Sequence, residues 1–128
     1  MRTSELSGAV LALWVARALK MTQPRIAFDI CRVGALLTPE TRDFAPHEDW
    51  SCGGPLIEQQ EIGIGIIQGI APHDGTEAIR WAVTKWHARV LAGDNGGPKM
   101  EGPTPLVAAM RALVASVYGD TVPDEVAP

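Results

Sequence analysis

The chain is short of cysteine, of tyrosine and phenylalanine, of positive charge and of long apolar runs, and each shortage removes a class of protein. Its two cysteines, Cys31 and Cys52, form no CxxC pair and are too few for a disulfide scaffold. Two reduced thiols in a cytosolic protein are the expectation. Lys and Arg number 11 against 15 Asp and Glu, a net charge of −4. Proteins that hold duplex DNA by its phosphates normally carry a basic surplus, so this balance argues against nucleic acid as a partner. No segment reaches the ~20 apolar residues that span a bilayer, so no membrane partner is expected. The run Ala9–Val15 with Ala16-Arg17-Ala18 mimics a signal peptide and its cleavage site. Glu5 ahead of that run and Arg17 inside the would-be site fit an amphipathic helix better, and a cytoplasmic location follows.

What is present suits one globular core. Hydrophobic residues make up 46% of the 128 and charged residues 20%, a balance that argues against disorder. Ten prolines and 13 glycines cluster in the middle, which implies loops there and not a long helical bundle. A first helix is expected from about Ser7 to Leu19, its apolar stripe made of Val10, Leu11, Trp14, Ala18 and Leu19. A last helix has Thr104 as N-cap, Pro105 at its first position and Gly119 as its stop, with Leu106, Met110, Leu113 and Val117 along one stripe. Between them, Arg25–Val33 alternates as one strand with Ile26, Phe28 and Ile30 on one side. Thr38–His47 reads as a loop, and Ile62–Ile67 as a strand whose glycines imply a bend or a close backbone approach. Trp81–Leu91 favours strand over a helix begun at Thr76, because β-branched and aromatic residues dominate. Gly93–Pro103 reads as a loop. The fold class expected is α+β, a small antiparallel or mixed sheet packed against an N-terminal and a C-terminal helix. Residues 1–119 would form one domain, followed by an acidic, Pro-containing tail at 120–128.

Few residues form a chemical constellation. His47, Glu48, Asp49 and Cys52 lie close in sequence, but no second ligand cluster accompanies them, so a solvated loop is expected and no metal. Cys52 with His47, His73 or His87 would make a nucleophile pair only by a chance of spacing. Gly53-Gly54-Pro55 lacks the Lys-Ser/Thr of a phosphate-binding loop. Gly102-Pro103-Thr104-Pro105 opens a helix, and helix starts present free N–H groups to anions. Trp50, beside the glycines, reads either as a stacking wall for a planar ligand or as a lid on the core. Arg111 falls on the flank of the last helix, either solvated or paired with Glu58.

Three blocks resemble the NinX-like proteins, short proteins of phages and prophages. They are Ser4–Gly8 with Trp14–Ala18, Asp49–Glu58 followed by Ile62, and Gly102–Leu106 with Ala108–Arg111, Val114–Ser116 and Gly119-Asp120. The resemblance covers about half the chain, residues 20–45 and 68–100 matching only loosely. A polar residue is usual where Cys52 stands, which argues against thiol chemistry there. The resemblance implies a phage or prophage accessory protein of the bacterial cytoplasm, and it carries no reaction and no cofactor. It directs attention to Trp50, Gly53, Gly54, Pro55, Glu58, Gly102, Thr104 and Arg111 as a ligand-binding set.

The leading expectation is binding of a small anionic or planar ligand, or of a host protein, between the Trp50–Pro55 loop and the start of the last helix. Two alternatives stand beside it: a small enzyme using Glu58 with a thiol or histidine, and a structural or homo-oligomer-forming module.

Overall fold

The computed structural model describes residues 1–70, 81–91 and 97–123. Among them, a 3-10 turn at Thr3–Glu5 precedes α1 (Gly8–Ala18), β1 (Arg25–Ala27), β2 (Ile30–Val33), β3 (Arg42–Asp43) and α2 (Trp50–Gln59). β4 (Ile62–Ile70), β5 (Trp81–Val90), β6 (Met100–Gly102) and α3 (Pro105–Tyr118) complete the order. The class is α+β, with helices in both terminal regions as expected. The sheet, however, is two sheets of three strands, β1-β2-β3 and β4-β5-β6, each antiparallel throughout.

Helix α3 forms where its caps predict. Thr104 Oγ1 accepts from the Val107 N–H at 3.1 Å, and Gly119 ends the helix at φ 84°. Its buried face is wider than one stripe, taking in Leu106, Ala108–Met110 and Ala112–Ala115, because it packs against β4–β6, α1 and α2 together. Val117, expected in that stripe, is instead 54% exposed near the helix end. Helix α1 is likewise buried continuously from Leu11 to Ala16, since α3 lies against it on one side and β1–β2 on another. A helix hydrophobic on nearly all faces belongs inside a structure, not on its surface. Burying Leu11, Leu13, Met110 and Leu113, each at most 1% exposed, contributes about 2 kcal/mol apiece.

Four expectations need correction. Arg25–Val33 is not one strand but the hairpin β1–β2. Phe28 and Asp29 take φ values of 51° and 61° between the flanking pair Ala27↔Ile30, a two-residue turn that points Phe28 into solvent at 98% exposure. The loop expected over Thr38–His47 holds the short β3. The segment from Trp50 to Pro55 is not a loop but the first half of α2, which begins at the Asp49 cap. The strand favoured over Trp81–Leu91 is β5, paired with β4 from Ile62↔Val90 to Ile70↔Trp81; the helix start considered at Thr76 lies outside the described residues. The loop expected over Gly93–Pro103 also needs correction, since it holds β6, paired with β5 from Trp86↔Gly102 to Ala88↔Met100; its residues 93–96 lie outside the described residues.

Chain ends meet. Thr3 N donates to Asp120 O at 2.8 Å, Val122 N donates to Met1 O at 2.9 Å, and Arg2 bridges to Thr121. Of the tail expected from Asp120, the first residues are therefore bound to the N-terminal segment, while 124–128 lie outside the described residues. No helix among the described residues is long and apolar enough to cross a membrane.

Candidate functional site

Among the described residues, the starts of α1, α2 and α3 border one cavity of about 450 Å³. Gly8, the first residue of α1, contributes one edge; His47, Glu48 and Trp50 bring the approach and first residue of α2; Thr104–Val107 bring the first turn of α3. Each helix start carries unpaired N–H groups and the positive end of a backbone dipole, so the three together favour negative or hydrogen-bond-accepting groups.

The caps determine which donors remain. At α3, Thr104 Oγ1 takes the Val107 N–H and Thr104 O takes the Ala108 N–H at 3.1 Å; Pro105 has none to give. The Leu106 N–H is the first-turn donor left over among the described residues. At α2, Asp49 Oδ1 accepts from Ser51 N at 2.9 Å and Ser51 Oγ at 2.6 Å, and these bonds hold its carboxyl below the usual range. At α1, Ser7 makes no side-chain cap, and Gly8 lies at φ 59° with open space where a side chain would stand.

Two side chains complete the cleft. Trp50 is 55% exposed, its indole forming a wall and not a core lid. The His47 side chain is 11% exposed, with Nε2 3.8 Å from the Glu48 carboxylate and a buried Nδ1 that has no hydrogen-bond partner. Burial pushes its pKa below the ordinary histidine value in spite of Glu48. Its Nδ1 is closed off from solvent, so the imidazole borders the cleft without presenting that nitrogen to it.

The eight residues singled out in the sequence separate. Trp50 and Thr104 line the cleft. Gly53 lies beneath it, where a Cβ would collide with the Pro46 carbonyl oxygen and come within 2.8 Å of Leu106 Cδ2, so it lets α2 pass close to α3. Gly54 lies under the Trp50 ring, its Cβ position 3.9 Å from Trp50 Cε3. Pro55 and Glu58 are exposed on α2, outside the lining. Gly102 is buried under α3, where a Cβ would meet the Ala108 N at 2.7 Å. Arg111 does not pair with Glu58. It donates from Nε to Leu6 O and from Nη1 to Glu101 O, both at 2.8 Å, tying the N-terminal segment to β6 beside a separate cavity of about 330 Å³. His47 and Gly8 were missed as partners of Trp50: His47 stands three residues before it but reads in the sequence only as a metal ligand or nucleophile partner, and Gly8 is too distant in sequence for spacing to reveal.

The cysteines are poor nucleophiles as placed. Burial raises the Cys31 thiol to about 11, with Cys52 nearby adding to the effect, and burial also raises Cys52. Among the described residues no three His, Cys, Asp or Glu side chains gather as metal ligands.

An α+β fold with two antiparallel three-stranded sheets flanking a helix pair, and an open cleft where helix starts converge, defines the class of protein. The chain belongs to the family of Bacteriophage P22 NinX, whose family model matches residues 2–117 and so takes in every strand and nearly all of α3. A comparison with curated protein sequences found no match.

Proposed function

We propose that this phage-family protein is a non-catalytic accessory protein that binds a small planar ligand bearing one anionic or hydrogen-bond-accepting head. It would act in the bacterial cytoplasm, with residues 1–119 as one domain. The observation that carries the reading is the convergence of three helix starts on a cleft that also holds an exposed indole. The ligand's plane stacks on Trp50, and its head meets the Leu106 N–H. Glu48 at the same mouth disfavours a highly charged anion, which limits the head to a single charge or a carbonyl. Support for catalysis is weaker, since Glu58 is exposed away from the cleft and both thiols are held protonated.

Native mass spectrometry of protein purified gently from a bacterial host, compared with the denatured mass, tests the proposal. The expected result is a small added mass that leaves on denaturation and is absent from Trp50→Ala, a substitution at a half-exposed site that leaves the core intact. A wild-type protein without added mass, or a Trp50→Ala protein that keeps it, sinks the assignment.

A further inference from the structure

We propose that the outer face of the β4–β5–β6 sheet carries a second site, for a small phosphorylated molecule of mononucleotide size or less. Side chains alternate across a strand, so β5 divides into two faces. Trp86, Ala88 and Val90 turn inward; Lys85, His87 and Arg89 turn outward. The three outward residues are all basic types, an unusual row on a chain whose net charge is −4. Lys99, before β6, joins His87 and Arg89 at the rim of a cavity of about 370 Å³ to which β4 contributes Gly63 and Ile64.

The glycines are part of the argument because strand interiors rarely hold them without a close approach. Gly65 stands directly opposite His87, and a Cβ there would collide with the imidazole, which lies against bare backbone. Gly63 is opposite Arg89, and Leu91, 59% exposed, packs where its side chain would be.

Charge balance is local and positive. Glu101 faces His87 across the β5–β6 pair, but Lys85 holds it at 2.7 Å. Glu61 lies one register position past the cavity, opposite Leu91. The Glu101 carboxylate also lies within the field of Lys99 and His87, so four basic side chains share one acid and Arg89 is the cation farthest from it in charge pairing. Arg89 Nε donates to Gly97 O at 2.9 Å, which fixes the guanidinium plane and leaves its other nitrogens without a bond among the described residues. A fixed guanidinium fork beside an ammonium and an imidazole suits the several oxygens of a phosphate, and Leu91 offers apolar contact for the remainder of the molecule. A cavity of this size is at the small end of ligand pockets. It shares no lining residue with the helix-start cleft.

The test is backbone-amide NMR of the full chain titrated with inorganic pyrophosphate, with adenosine 5′-monophosphate and with a short oligothymidylate. The expected result is saturable shifts at His87, Arg89 and Lys99 with the first two probes, weakening as salt rises. Lys99→Gln and Arg89→Gln should each weaken binding roughly five- to tenfold, while Trp50→Ala leaves it unchanged. Lys99→Gln is an exposed change and keeps the test decisive if loss of the Arg89–Gly97 bond unfolds the other variant. No saturation below about 10 mM pyrophosphate, shifts confined to the Trp50–Thr104 cleft, or full binding by Lys99→Gln would each overturn the proposal. Oligothymidylate bound far more tightly than the mononucleotide would also overturn it, by assigning the face to single-stranded nucleic acid.

Discussion

His47 joins the chemistry of the cleft to the stability of the fold. Its folded pKa lies below the ordinary histidine value because burial disfavours the charged ring. The unfolded chain therefore binds the proton more readily than the folded one. The contribution of His47 is full above the unfolded pKa of about 6.5 and is lost progressively as pH falls through that value toward the folded pKa. Asp49 and Glu101 have depressed folded pKa values, so their contributions begin to fall only near the ordinary carboxylate range, about pH 4. Urea midpoints measured between about pH 7.5 and about pH 5.5 should decline in the wild type and decline less in His47→Gln. Equal slopes in the two proteins would show that His47 does not titrate against the fold. At this scale the sequence pattern assigned one ligand-binding hypothesis to eight residues, of which Trp50 and Thr104 line the cleft while Gly53 and Gly102 stand where neighbouring elements approach closely. A glycine in a one-dimensional motif looks the same whether a ligand or a neighbouring backbone fills the space beside it.

Elements were legible where local chemistry and tertiary packing agree. Thr104, Pro105 and Gly119 each favour the backbone they adopt, and α3 begins and ends as they specify. Helix α2 is the opposite case. Gly53, Gly54 and Pro55 disfavour a helix by about 1, 1 and 3 kcal/mol in an interior position, and Pro55 sits inside it nonetheless. The Asp49 cap and the seat of Gly53 against Pro46 and Leu106 act against that cost, and neither contact shows in a propensity sum. The β1–β2 turn misled for a similar reason. Phe28 and Asp29 both adopt positive φ, a conformation that Asn-Gly fills with far less strain. Replacing the pair by Phe28→Asn with Asp29→Gly should stabilise the protein by about 1 kcal/mol in urea unfolding. Phe28 is 98% exposed and contributes no packing to offset the gain. A loss of stability would mean that the turn is not the two-residue type described.

Over the whole molecule, the two ends of the described chain hold each other. The Met1 amino group donates to Val122 O and Val122 N donates back to Met1 O, both at 2.9 Å. Thr3 is fully buried, with N bonded to Asp120 O and Oγ1 to Gly119 O at 2.7 Å. Val122 is 3% exposed within the main core cluster. Hydrophobic periodicity placed the end of the domain at Gly119, because a single bridged pair such as Arg2↔Thr121 has no period to detect. Cutting the chain after Gly119 removes the partner of the Thr3 N–H, the two bonds to Met1 and one buried valine. Taking about 1 kcal/mol for each of the three lost hydrogen bonds and about 1.5 for the valine, a loss of about 4.5 kcal/mol is expected. Cutting after Pro123 keeps every one of these contacts and should leave the urea midpoint unchanged. The comparison isolates a span of four residues, so equal midpoints for the two truncations would show that the ends contribute nothing to the fold. A large difference would instead place the working boundary of the domain at the end-to-end clasp, beyond both the last helix and the span matched by the family.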